Sequence, residues 1–150
     1  QTDNALARLY REARDSEALV NQSRGVLVFP SFFSAGFIVG GASGQGVLRE
    51  GGKTVSYHRM TEGSVGLLAG AQSQAVFILF MTEDSLSRFK NSNGWTVGAD
   101  AGVTMLTVGA DASITGRTAQ QPVVGFVLTN SGLMGSLSLN GSRITPLNFN

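Results

Sequence analysis

No charged residue lies between Arg24 and Arg49, and this stretch, RGVLVFPSFFSAGFIVGGASGQGVL, limits the fold more than any other. Gly25 to Phe29 is a short apolar run of the kind that fills a buried strand, and Pro30, which lacks an N–H for the ladder, is expected to stop it. A second apolar run spans Ala35 to Val39. Glycines follow, and then Val47 and Leu48. Glycine at this density weakens a helix, whereas short runs of β-branched and aromatic residues between turn residues suit strands. The segment therefore reads as the start of a β core.

Composition supports that reading. Gly accounts for 20 of 150 residues and charged residues for 14%, against about 25% charged in an average soluble domain. The length fits one domain with a real core, and no linker or low-complexity boundary divides it. The net charge of +1 argues against a strongly basic nucleic-acid face. With no Cys there is no disulfide framework, thiolate metal site or Cys nucleophile. The first residue is Gln1, not Met, so any signal peptide or lipid-attachment Cys would lie upstream of it. Gly63 to Thr82 is uncharged and about long enough to span a bilayer. Its centre, Ala71-Gln72-Ser73-Gln74-Ala75, and its glycines point instead to two strands.

Helical spacing of Leu6, Leu9, Tyr10 and Ala13 predicts a helix over Asp3 to Arg14, capped by Thr2 or Asp3. Asp15 or Ser16 caps a second short helix that turns Leu19 and Val20 inward. Beyond Gly25 the predicted strands are Gly25–Phe29, Gly36–Gly41, Gly46–Arg49, Thr54–Met60, Ser64–Ala71 and Ala75–Met81. They continue as Trp95–Thr104, Val108–Thr115, Gly125–Thr129, Leu133–Leu139 and Arg143–Thr145. Gly51-Gly52 and Asn140-Gly141 are predicted two-residue hairpin turns. Thr82 to Ser92 reads as an inserted helix, with Thr82 as cap, Glu83 and Asp84 in its first turn, and Arg88 and Lys90 in its last. Val97–Thr104 recurs in similar form as Val108–Thr115. The Gly and Ala at strand positions imply close backbone approach or a sharply coiled sheet. The fold class expected is α+β: a mainly antiparallel, strongly coiled or barrel-like sheet with two short N-terminal helices and one inserted helix.

Chemical motifs are weak. Gly51-Gly52-Lys53-Thr54 lacks the earlier Gly of a phosphate loop, because Val47 stands there. Ser43 lacks the Gly two residues on that a nucleophile elbow requires. His58, the single histidine, sits in an alternating strand and is expected to be partly exposed. A Ser–His–Asp system with Asp100 or Asp111 is its catalytic alternative. Asp100 and Asp111 occupy equivalent repeat positions and read as structural, hydrogen-bonded carboxylates. Trp95, Phe32, Phe33 and Phe37 read as core or turn packing. Asn21-Gln22-Ser23 and Asn140-Gly141-Ser142 fit a glycosylation pattern that often occurs by chance. No catalytic residue, cofactor or metal is expected. The candidate binding residues are Arg8, Arg11 and Arg14 on the first helix, with Lys53 and Arg59 near a hairpin. They form a basic, amphipathic set that suits an anionic membrane surface, although Glu12, Asp15 and Glu17 dilute the charge and a plain solvated helix face is the other reading.

Four stretches together carry a resemblance: RGVLVFPSFFSAGFIVGGASGQGVL, GSVGLLAGAQSQAVFILFMTEDSLSRF, WTVGADAGV and GFVLTNSGLMGSLSLNGSRI. Spread over Arg24 to Ile144, they resemble the SYLF domain family, known as a yeast-type actin-binding or lipid-binding domain, in the style of its bacterial branch. The resemblance implies a non-enzymatic module. Eukaryotic members bind phosphoinositide-containing membranes, some bind actin, and they carry SH3 or FYVE modules that this chain lacks. Bacterial members are envelope or secreted proteins. The lipid contacts of eukaryotic members lie in basic, amphipathic N-terminal segments, to which Arg8, Arg11 and Arg14 correspond in character. The expectation is a monomeric lipid-binding module of a periplasmic or outer-membrane-associated protein, a lipoprotein among the forms considered. Its expected partner is anionic phospholipid, with actin by family analogy and without nucleic acid. A carrier of a small apolar ligand, or a protein-interaction module, is the alternative.

Overall fold

A computed structural model describes residues 2–12, 16–34, 42–62, 73–98, 100, 102–105, 107–108, 114–115, 121–129, 132–133 and 142–147. Two helices open the chain, α1 (Thr2–Glu12) and α2 (Ser16–Gln22). Strands β1 (Gly25–Ser34), β2 (Ala42–Glu50), β3 (Lys53–Glu62) and β4 (Ser73–Phe80) follow. After helix α3 (Glu83–Lys90) come β5 (Trp95–Thr96), β6 (Thr104–Met105), β7 (Thr107–Val108) and β8 (Ile114–Thr115). The series ends with β9 (Val123–Thr129), β10 (Gly132–Leu133) and β11 (Ser142–Leu147). The calls for strands at 36–41 and 64–71, the turn at Asn140-Gly141, Phe37, Asp111 and Arg14 lie outside the described residues.

Among the described residues the main sheet has nine strands in the order β10-β9-β4-β1-β2-β3-β11-β5, with β6 beside β9. All pairings in it are antiparallel except β6 with β9. The sheet is curled into a half-barrel, so the expected α+β class holds. Gly51 and Gly52 have φ of 59° and 83°, the left-handed conformations a two-residue hairpin turn needs, and they join β2 to β3 as the sequence suggests. Thr82 caps α3, accepting a 3.1 Å hydrogen bond from the Ser85 N–H.

Three expectations need correction. First, β1 does not stop at Pro30 but runs to Ser34. The register on β4 shifts between Phe29 and Phe32, and that on β2 between Val28 and Phe33. Such an irregularity relieves the ladder of the N–H that proline lacks. Second, Trp95–Thr104 is not one strand. β5 ends after Thr96, Gly98 has φ of 93°, and the Asp100 carboxylate accepts a 2.6 Å hydrogen bond from the Thr96 N–H. The Asp100 N–H in turn donates to the Thr96 carbonyl at 2.9 Å. Asp100 is thus the structural, hydrogen-bonded carboxylate expected. Third, Val108 and Ile114 face each other across an antiparallel pair, so Val108–Thr115 holds two strands.

Alternation along the strands gives the sheet two buried faces. One carries Val26, Val28, Phe77, Leu79, Val124 and Phe126, and it is covered by Leu6 and Leu9 of α1 and Leu19 of α2. The other carries Leu27, Phe29, Leu48, Met60, Ile78 and Phe80, packed with Leu86 and Phe89 of α3 and with Trp95. Lys90 anchors the end of α3 to β2 through a 2.8 Å ion pair with Glu50. No helix among the described residues is long and apolar enough to cross a membrane, and the described end of the 63–82 stretch is strand β4.

Candidate functional site

Strand β3 divides its side chains cleanly. Ser56, His58 and Met60 turn toward the α3 side, while Val55, Tyr57 and Arg59 stay exposed. His58 is therefore buried, not partly exposed, because its parity places it with Met60 and under α3. Its ring lies 4.8 Å from that of Phe89. Nε2 is 2.8 Å from the Ser56 hydroxyl, which is the distance of a nucleophile–base pair. Nδ1, however, is buried and finds no hydrogen-bond partner among the described residues, so nothing there orients the ring as a triad acid would. Burial lowers the His58 pKa from 6.5 to about 4, leaving it a weak base. The arrangement is that of a packed core histidine.

That packing has a consequence for stability. The folded chain holds His58 neutral, whereas the unfolded chain protonates it near pH 6.5. Its contribution is fully present above pH 6.5 and is lost as pH falls toward 4, with a loss of roughly 3 kcal/mol by linkage. Urea melts across this range should show that decline in the wild type and a shallower one in His58→Phe. Parallel declines in both proteins would refute the assignment.

The basic candidates fall on two regions. Arg8 is half-buried on α1 and engages other groups, and Arg11 is exposed in the last turn. Lys53 is exposed directly after the Gly51–Gly52 turn. Arg59 is exposed farther along β3, opposite Gln45 of β2 and Thr145 of β11. The helix and the turn meet around a cleft of about 360 Å³ lined by Leu6, Ala7 and Tyr10 of α1, by Val20 and Asn21 of α2, and by Arg49, Gly51 and Gly52. This cleft is absent from the sequence-based expectations. Arg49 stands opposite Val26 in the β1–β2 ladder, on the helix-covered face. Burial raises the Tyr10 pKa, and the Glu17 carboxylate adds to that while Arg49 opposes it. Strand alternation from Val47 to Arg49 was the available signal for Arg49. The meeting of α1 with the turn left none.

Beyond the helices, the same sheet face continues across β2, β3 and β11. There Val47, Tyr57 and Leu147 form one cross-strand row, and Gln45, Arg59 and Thr145 the next. Val55 and Tyr57 are 47% and 46% exposed. No group of three or more metal-ligating side chains occurs among the described residues.

Comparison with known families adds one match. Residues 61–148 match the Ysc84 family, described as "Las17-binding protein actin regulator". No curated protein matches the chain. The match begins at the end of β3 and runs through β11, over more than half of the chain. The chain belongs to the Ysc84, or SYLF domain, family, a family of binding modules.

Proposed function

We propose that this chain is a non-enzymatic module that binds anionic lipid at a membrane surface, as part of a bacterial envelope protein or lipoprotein. The observation that carries the reading is the sheet face left uncovered by the helices. Val55 and Tyr57 stand half exposed there, with Lys53 and Arg59 exposed on the same strand. Tyrosine places an apolar body and a polar tip at a lipid–water boundary, and each cation near an anionic leaflet contributes about 1 kcal/mol. The amphipathic α1, with Arg11 exposed, adds a second basic element. Periplasmic or outer-membrane-associated placement accompanies this reading, and subcellular fractionation tests it.

Cosedimentation with phosphatidylserine-containing and with purely zwitterionic vesicles, at low and high salt, is the direct test. Binding should require the anionic lipid and weaken with salt. The combined variant Arg11→Glu, Lys53→Glu and Arg59→Glu should bind about 100-fold more weakly. Wild-type affinity in that variant would end the reading. The family description favours a second one, a protein-interaction module that engages actin or an actin regulator. Cosedimentation with actin filaments in the absence of lipid decides for it.

A further inference from the structure

The main sheet ends on β5, and among the described residues no strand pairs with its outer side. A strand edge with free N–H and C=O groups is a template for another chain. Here both groups of Thr96 are already engaged. The Thr96 N–H donates to the Asp100 carboxylate at 2.6 Å, and the Asp100 N–H donates to the Thr96 carbonyl at 2.9 Å. Asp100 therefore stands where the next strand would be. With Thr96 bonded to Asp100, alternation leaves the β5–β11 bonds to the Trp95–Ile144 pair. Along β11 the groups facing that side recur at every second residue, so after Ile144 the next is Pro146, which has no N–H to offer. Arg143, exposed at the same edge, donates from Nη1 to the Thr96 hydroxyl at 3.2 Å and adds a charge there. A tied carboxylate, a proline and a charged side chain are three separate ways of closing one edge.

We infer that the β5 edge is a latent pairing surface for a second copy of this chain, and that Asp100 is the latch that keeps it closed. The second copy is the occupant because every copy presents the same edge. Two such edges meet antiparallel about a twofold axis, which continues the order of a sheet whose pairings are antiparallel in all but one case. The backbone keeps strand parity past Thr96, with Val97 buried like Trp95, until Gly98 at φ 93° turns it back toward Asp100. Released from that tie, the edge gains the Thr96 N–H and C=O together. The latch does not depend on how the Val55–Tyr57 face is used.

Sedimentation velocity of the full chain over a range of concentrations tests the latch. Wild type and Asp100→Asn should remain monomeric, since the Asn side-chain oxygen still accepts from the Thr96 N–H. Asp100→Ala should form a dimer at least tenfold tighter than either. Adding Thr96→Pro to Asp100→Ala removes the freed N–H on the outer side of the strand, where proline is tolerated, and should restore the monomer. Amide hydrogen exchange gives a readout free of assembly. At concentrations where both proteins are monomeric, the Thr96 amide should exchange at least tenfold more slowly in wild type than in Asp100→Ala. Monomeric Asp100→Ala at every concentration, equal association by Asp100→Asn, or a dimer that survives Thr96→Pro would each overturn the inference. So would a wild-type Thr96 amide exchanging at the rate of an unprotected peptide, a result that needs no variant to fold.

Discussion

Phe80→Ala is expected to destabilise the chain by about 4 kcal/mol, the largest effect of any single truncation considered. Phe80 is fully buried on β4, a strand paired on both sides, with Phe80 opposite Gly25 of β1 and Val123 of β9. Its ring stacks on Phe89 at 4.8 Å and meets Trp95 edge-on at 5.7 Å. Truncation removes the transfer energy of the ring and two aromatic contacts, and it leaves a cavity that strands held on both sides cannot close. Domains of this size are stable by about 5–15 kcal/mol, so the variant sits near the edge of folding. Urea denaturation should show a much lower midpoint with an unchanged slope. Phe80→Leu should recover more than half of the loss, whereas Tyr57→Ala, on the exposed face, should shift the midpoint little. A Phe80→Ala midpoint equal to that of Tyr57→Ala would mean the aromatic cluster does not hold the helix α3 side together.

Gly46→Ala should destabilise by about 3 kcal/mol through the opposite failure, overpacking. A Cβ at this position would lie 2.5 Å from Cδ1 of Phe29 and 2.6 Å from the Val28 carbonyl oxygen. The carbonyl belongs to the backbone of β1, where Val28 pairs with both Val47 and Phe77. Moving it disturbs two ladders, and the Phe29 ring is fully buried with nowhere to swing. Glycine here serves close approach, with the aromatic ring covering the gap a missing side chain leaves. By contrast, nothing lies within 4 Å of a Cβ built at Gly51 or Gly52, where positive φ is the constraint. A chain carrying Gly46→Ala that melts with the wild type would show that β1 and β2 can separate more easily than their register implies.

Much of the local structure was legible. The apolar periodicity of Leu6, Leu9 and Leu19 marks the helices, Thr82 with Glu83 and Asp84 marks α3, and Gly51-Gly52 marks the hairpin, because each signal acts within a few residues of itself. The basic candidates were legible only as residue types. Lys53 and Arg59 share β3, but whether either meets α1 depends on how the helices dock. Pro30 misled because a proline in a strand is disfavoured only where its ladder position needs an N–H, and that depends on the neighbours' register. His58 misled because alternation assigns it a face without saying which face is covered.

A β core with a short helical start and one capped insertion could be read from local signals, since caps, turn glycines and apolar periods are properties of neighbouring residues. The tertiary structure alone decided that His58 is buried beneath Phe89, that β11 docks beside β3, and that α1 and α2 cover only part of one sheet face. It also decided that Tyr10 and Arg49 line one cleft. These outcomes follow from pairings between residues far apart in the chain, and side chains such as Tyr57 and Arg49 acquire a setting only when distant strands and helices meet around them.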